Sequence, residues 1–393
     1  MAQRQEDPPA ARVRSFLVAD IRGYTSYTAA HGDEAAARLV EHFATLVSDG
    51  VTAWSGTLVE LRGDEALAAF ESPRSALRAA VELQTAFEDE SRDQADLPLN
   101  VGIGLDAGEA VPVGDGFRGA ALNRAARLCS AAEAGQTFAS EELIHLAGPV
   151  SDIEYAAPRE VTAKGLDEPV GVVAVTPTQA RSGAIGPAVT LGVPPPIPPQ
   201  LDAIVPLAGR GEELSWLRWH WRRARHGHPR CVVVSGIPGI GKTRLAARLA
   251  AIAHEDGARV TYLPMAKGTA EAALAARADG VPALLVVDDI DAAAGDLVKE
   301  TVDEAAALAG PVLLLVTHRT EASPDLVRSL KDLTPSSMRR ELGPLDLEAV
   351  RMIASLYAGD AVDQLPLGDI AEQTGGHPAS IHRLSHEWAK RLA

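Results

Sequence analysis

Aromatic residues make up only 4% of this 393-residue chain, and there are two cysteines, Cys129 and Cys231. With so few rings, Ala, Leu and Val must fill the cores. Two cysteines on separate apolar stretches exclude a disulfide framework and fit a reducing compartment. Neither has neighbours that suggest a nucleophile or a metal ligand. Cations are also short: 37 Lys and Arg against 53 Asp and Glu leave a net charge of -16. General nucleic-acid or membrane-surface binders need clustered cations, so no direct nucleic-acid contact and no membrane are expected. The one basic cluster, residues 218–230 (RWHWRRARHGHPR), reads as a solvated, Trp-bearing helix before a strand. Long apolar runs are missing too. The longest, 283–287 and 312–316, are strand-length and far below the ~20 residues of a membrane helix. The first ten residues hold no apolar signal core, so the expected location is the cytoplasm.

What is present is a chain long enough for two or three domains. The sharpest break is Pro-Pro-Pro-Ile-Pro-Pro at 194–199. A stretch so rich in proline favours extended conformations and builds no core, so 177–205 reads as a linker between domains at 12–176 and 206–393. Ahead of it, 13–19 reads as a buried strand and Asp33 as the cap of a helix. Segments 57–62 and 66–70 read as a hairpin turning at Gly63-Asp64, and 75–87 as a helix. Strands at 99–105 and 109–113 and a helix at 120–134 follow. This order predicts an α+β fold, an antiparallel sheet with helices on one face. Behind the linker, strands at 231–235, 260–263, 283–288 and 312–316 alternate with helices from Lys242 and near 297–309. That alternation predicts a parallel α/β sheet, followed by a helical tail from Asp346.

Gly236-Ile-Pro-Gly239-Ile-Gly241-Lys242-Thr243 matches G-x-x-x-x-G-K-[ST] in full, between a Val-rich strand and a helix. Glycines let backbone amides face phosphates, Lys242 neutralises the β and γ charges, and the Thr243 hydroxyl ligates Mg²⁺. Downstream, the apolar run to Asp288-Asp289 places two carboxylates at a strand end. Asp288 would hold the Mg²⁺ water shell and Asp289 would orient an attacking water. Together with these, Pro206-Leu-Ala-Gly-Arg210-Gly-Glu-Glu-Leu, Leu313-Leu-Leu-Val-Thr-His-Arg319 and Gly375-Gly-His-Pro378 resemble motifs of AAA-like, signal-transducing P-loop ATPases. The resemblance implies an ATP-binding switch with Arg319 near the γ-phosphate, and an output effector absent after Ala393 or carried on a separate protein.

Before the linker, Asp20 closes a strand in FLVADIRGYT and Asp64 sits in the turn of ELRGDEALAAF. Adjacent strands would bring both carboxylates to one sheet edge, where such a pair can hold Mg²⁺ or Mn²⁺; an Asp closing a strand is also an ordinary turn former. Both strings resemble class III nucleotidyl cyclases, as do Leu99-Asn-Val-Gly-Ile-Gly-Leu-Asp-Ala-Gly-Glu109, Gly119-Ala-Ala-Leu-Asn123-Arg-Ala-Ala-Arg127-Leu and Lys164-Gly-Leu-Asp-Glu-Pro-Val. The resemblance implies a ferredoxin-like domain acting as a head-to-tail homodimer on ATP or GTP. Asp20 and Asp64 of one protomer would bind metals. Asn123 of the other would orient the ribose and Arg127 would stabilise transition-state charge; being four apart, they share a helix face. Lys164 could touch the phosphates, or be a plain surface lysine. The family's purine-selecting positions are Glu60, a guanylyl-type residue, and Gly116, which has no side chain to read a base; Asp115 or backbone could substitute. The expected function is a cyclase making a 3′,5′-cyclic nucleotide from ATP, controlled by the fused ATP-binding switch. A cyclase-like dimerisation or sensor module on such a switch is the alternative.

Overall fold

The computed structural model describes residues 12–94, 96–114, 116–150, 153–161, 169–178, 195–201, 207–264, 281–292 and 310–392. Asp115, Lys164, the helix expected near 297–309 and most of the proline-rich linker lie outside the described residues. The chain divides into two compact units, Met1–Arg181 and Ser182–Ala393.

The first unit starts with β1 (Arg12–Ile21), whose Phe16–Ala19 core is buried, then α1 (Tyr24–His31) and α2 (Asp33–Ala53). Asp33 is not the cap. Gly32 holds that position, and Asp33 lies in the first turn, where its charge complements the helix dipole. β2 (Thr57–Arg62) and β3 (Glu65–Phe70) form the expected hairpin. α3 (Pro73–Asp93) starts where Ser72 Oγ accepts from the Ser75 amide at 3.3 Å, with proline in its first turn. Phe43 and Phe87 stack between α2 and α3, their centroids 5.7 Å apart. The next strand, β4 (Val101–Val113), is continuous where two strands were expected. Its glycines are not breaks but points of close approach, as the site below makes plain. Strand order β2-β3-β1-β4, antiparallel throughout, closes a ferredoxin-like β-α-β-β-α-β core.

Short elements extend this core. β5 (Gly116–Arg118) pairs with β4, and α4 (Ala120–Ala131) follows. β6 (Thr137–Ala139) pairs parallel to β4, and α5 (Glu141–Ala147) comes next. β7 (Ile153–Tyr155), β8 (Arg159–Val161) and β9 (Val170–Pro177) complete the edge.

The second unit begins with α6 (Gly211–Arg225). Its Trp216, Trp219 and Trp221 are at most 1% exposed, and His220 and Arg223 are buried with them. The expected solvated helix is therefore a packed one: the ring-bearing face outweighs the charge pattern because burying each large ring is favourable by several kcal/mol at about 25 cal/mol per Å². β10 (Arg230–Ser235), α7 (Lys242–Glu255), β11 (Arg259–Pro264), β12 (Ala283–Asp288), β13 (Val312–His318), α8 (Pro324–Leu333) and β14 (Arg339–Glu341) follow. The sheet is wholly parallel in the order β11-β12-β13-β10-β14. Every residue of β12 and β13 is buried, as strands covered on both faces require. α9 (Leu347–Ala358), α10 (Leu367–Thr374) and α11 (Pro378–Leu392) form a helical subdomain with its own core around Val350, Ile353, Ile370 and Ile381. Among the described residues no helix is long and apolar enough to cross a membrane.

Candidate functional site

In the second unit, β10 runs out at Ser235 and the chain turns through Gly239 (φ 78°) and Gly241 (φ 107°) before α7 starts at Lys242. Those left-handed angles suit glycine and turn successive amides toward one point. Lys242 Nζ donates to the Gly236 carbonyl at 3.0 Å and lies 3.8 Å from Asp289. Asp288 is where the strands converge. Its carboxylate accepts from Thr243 Oγ1 at 2.8 Å, Thr317 Oγ1 at 2.6 Å and the Tyr262 hydroxyl at 3.3 Å. Burial together with Asp288 pushes the Tyr262 hydroxyl up to about 12, so it stays the donor. Asp289 holds a left-handed backbone (φ 50°), with its amide donating to Thr317 Oγ1 at 2.9 Å. Burial and then Asp288 raise its carboxyl above the ordinary carboxylate range.

Gly239, Gly241, Lys242, Thr243, Asp289 and Arg319 line one cavity of about 350 Å³, with Pro378 and His382 of α11. Gly236 and Asp288 lie just behind them, through Lys242 and Thr243. Arg319 faces this cavity while its guanidinium holds Asp291. Thr243 and Asp288 present a hydroxyl and a carboxylate side by side, hard oxygen donors of the kind Mg²⁺ takes alongside phosphate and water.

Three contacts were not legible. Buried Arg210 donates to the Gly343 carbonyl at 2.5 Å and to Ile240 at 3.3 Å, and so braces the phosphate loop. His377 Nε2 lies 2.7 Å from the Pro238 carbonyl, and a Cβ on Gly239 would come within 2.7 Å of the His377 ring. Tyr262 reaches Asp288 from β11. Arg210 and His377 stood inside recognisable strings, but nothing in those strings indicates the partner; Tyr262 carried no signal.

In the first unit, Asp20 is the last residue but one of β1, beside the hairpin turn, where the Ile21 amide donates to the Asp64 carbonyl at 3.0 Å. The two carboxylates thus share one end of the sheet. Burial raises the Asp20 carboxyl to about 6 against the opposing pull of Arg22, and Asp64 and Glu65 push the same way as burial. Arg22 Nη1 meets Asp20 Oδ2 at 2.5 Å, and Nη2 donates to the Cys129 carbonyl on α4. Only a glycine at 102 leaves room for this guanidinium, since a Cβ there would stand 2.5 Å from Nη2. Arg22 offsets one of the carboxylates crowded at this half-buried sheet end, and the negative charge that is left fits a divalent cation. No group of three or more His, Cys, Asp or Glu side chains able to hold a metal occurs among the described residues. A cation at this pair would therefore complete its shell with phosphate and water oxygens.

α4 carries the other pair. Its inner face is small because β4 comes close: a Cβ on Gly104 would lie 2.1 Å from the Cys129 amide, and one on Gly108 3.2 Å from Ala121. The outer face exposes Asn123 and Arg127. Both line a cavity of about 690 Å³ with Ala120, Arg124, Glu141, Glu142, Pro169 and Gly171. Asp20 and Asp64 do not line it. The structure therefore brings the carboxylates together and the α4 pair together, but does not bring the two pairs into one cavity of a single chain. Glu60 is held by Arg62 at 2.5 Å, and a Cβ on Gly116 would meet nothing nearer than the Val113 carbonyl at 3.9 Å.

Residues 206–341 match the family described as AAA ATPase domain. Proteins of Mycobacterium tuberculosis and Mycobacterium bovis, each described as an uncharacterized protein, are 33% identical over 39% of this chain. The match spans 38% of the length of those relatives. Among solved structures, the guanylyl cyclase Cya2 is 27% identical with a TM-score of 0.39, covering 44% of this chain and 98% of that one. An adenylate/guanylate cyclase/hydrolase from Silicibacter pomeroyi is 25% identical with a TM-score of 0.38, covering 43% and 99%.

Proposed function

We propose that two copies of this chain form a nucleotidyl cyclase that converts ATP to 3′,5′-cyclic AMP and pyrophosphate, governed by the ATP-binding switch of the second unit. The observation that carries this is the division of the first unit's polar residues into two separate half-sites. Asp20 and Asp64 stand at one sheet end, while Asn123 and Arg127 stand on the outer face of α4. Half-sites of this kind become useful when a second copy supplies the missing half.

Asp20 and Asp64 bind the cation-bearing end of the triphosphate. Mg²⁺ or Mn²⁺, when bound there, neutralises phosphate charge and makes the 3′-hydroxyl easier to deprotonate. Asn123 of the other protomer orients the ribose by hydrogen bonding, so that the 3′-oxygen lies in line with the α-phosphorus. The bond from the 3′-oxygen to that phosphorus forms as the bond to the β-phosphate oxygen breaks. The hydroxyl proton goes to water, and pyrophosphate leaves with the electron pair. Arg127 meets the negative charge that builds on the equatorial phosphoryl oxygens. In the second unit, Lys242, Thr243 and Asp288 hold ATP and Mg²⁺ at a separate site.

Purified protein incubated with Mn²⁺ and ATP is expected to yield cyclic AMP by mass spectrometry, with GTP run in parallel because Glu60 has the guanylyl-type side chain. Asp20→Ala should abolish the product; equal product from the variant would sink the reading. A second reading has its own support. Glu60 meets Arg62 at the surface, and Gly116 leaves an open space where a base-reading side chain would stand. In that reading the first unit is a nucleotide-sensing dimerisation module on the ATP-dependent switch. Nucleotide binding at the first unit without any product would favour it.

A further inference from the structure

Beside Asn123 and Arg127, the α4 cavity holds a third α4 side chain that the cyclase reading leaves without a role. Arg124 is fixed from beneath by Asp106, a fully buried carboxylate in the middle of β4, whose Oδ2 lies 2.8 Å from Arg124 Nε. Asp106 is itself held by the Ser140 hydroxyl, and Ser140 Oγ also caps α5 by accepting from the Leu143 amide at 3.1 Å. The anchor is thus tied to β4 and to the start of α5 at once. Arg124 Nη1 meets Glu142 Oε1 at 2.9 Å; Glu142 is 57% exposed on the rim of the cavity.

An ion pair with a buried carboxylate keeps the Arg124 guanidinium against this wall of the cavity. The second carboxylate, exposed to water, adds little: an ion pair of this kind contributes about 0–1 kcal/mol. Two arginines and an asparagine share the cavity with two exposed carboxylates, Glu141 and Glu142, of which Glu142 meets Arg124. Displacing Glu142 frees a guanidinium for phosphate, and planar bidentate contact with phosphate is among the stronger charge-assisted hydrogen bonds.

We propose that Arg124 binds the terminal phosphates of the nucleotide, and afterwards the pyrophosphate product, with Glu142 as the counter-ion that the phosphate displaces and Asp106 as the positioning residue. The inference rests on the cyclase reading for the identity of the nucleotide, but not for the anion site itself. Arg127 then serves the reacting phosphorus while Arg124 serves the leaving group. Release of Arg124 back to Glu142 accompanies departure of pyrophosphate.

The test is calorimetric titration of the full-length protein with inorganic pyrophosphate and Mg²⁺. Every protein carries Lys242→Ala, so that the second unit's phosphate loop does not contribute. Arg124→Ala should weaken binding about 10-fold or more, and Arg124→Lys by less, because the ammonium keeps the charge but loses the fork. Glu142→Gln should tighten binding roughly two- to fivefold by removing the competitor. A merely structural ion pair gives a different pattern, with Arg124→Ala and Glu142→Gln weakening binding alike, and that result would overturn the assignment. So would unchanged affinity in Arg124→Ala, or no pyrophosphate binding by the parent. Should Arg124→Ala fail to fold, the direction of change in Glu142→Gln decides. Pyrophosphate binding with the expected variant pattern, but no cyclic nucleotide from ATP or GTP, would sink the cyclase reading and leave the Arg124 site standing.

Discussion

The two units each present an aspartate at the end of a strand, and the two are built in opposite ways. Asp288 is surrounded by hydroxyls from α7, β11 and β13 of its own chain, beside a lysine and a glycine loop that complete the phosphate site. Asp20 is half-buried, pushed up to about 6 chiefly by burial, held by Arg22 and crowded by Asp64. The residues that would act with it face another cavity. A site closed within one chain can bind its ligand alone. On the proposed reading, the first unit's open site is completed by a cation, a substrate and a second chain.

The sharpest way to break this contrast is to mix two inactive proteins. Asp20→Ala and Arg127→Ala should each lose cyclase activity at least about 1,000-fold. After subunit exchange the mixture should recover up to about a quarter of wild-type activity, because half the dimers carry one intact site. No recovery would place all four residues in one chain's site. The same experiment with Lys242→Ala and Asp288→Ala should restore no ATP binding, since each chain needs both.

A smaller but still large effect is expected at the close approach of β4 and α4. Gly104→Ala forces a Cβ to 2.1 Å from the Cys129 amide, and overpacking of that kind costs about 1–3 kcal/mol or more. Thermal unfolding should show the loss in the first unit alone, with ATP affinity at the second unchanged. Lys242→Ala should lower ATP affinity in the second unit by roughly 10- to 100-fold, the value of a hydrogen bond to a charged group, as read by a fluorescent ATP analogue.

Next comes Arg22→Met, which unties Asp20 from the Cys129 carbonyl. The expected loss is about 1–3 kcal/mol of first-unit stability, measured by denaturant unfolding. An unchanged midpoint would mean that the link is incidental. The smallest effect separates nothing between the units and so serves as a control. Burial pushes both thiols, Cys129 and Cys231, up to about 12. At pH 8 they stay protonated, and a thiol reagent should titrate neither in the folded protein and both in guanidinium.

The sequence alone determined a good deal. The loop from Gly236 to Thr243 needs glycines, a lysine and a hydroxyl within eight consecutive positions, because one turn of backbone has to wrap a phosphate. Local chemistry of that kind survives as a string, and so does the alternation of strands and helices on either side of the prolines. The hairpin at Gly63-Asp64 and the strand ending at Asp20 were legible for the same reason.

Tertiary structure decided the rest. It showed that the glycines of β4 make room for α4 and for Arg22 rather than ending a strand, and that the tryptophans of α6 are core. It brought Arg210 and His377 to the phosphate loop, Tyr262 to Asp288, and Asp106 beneath Arg124. Each of these is a contact between residues far apart in the chain, and a residue's own neighbours in sequence carry no record of which distant group it will meet once the sheet has closed.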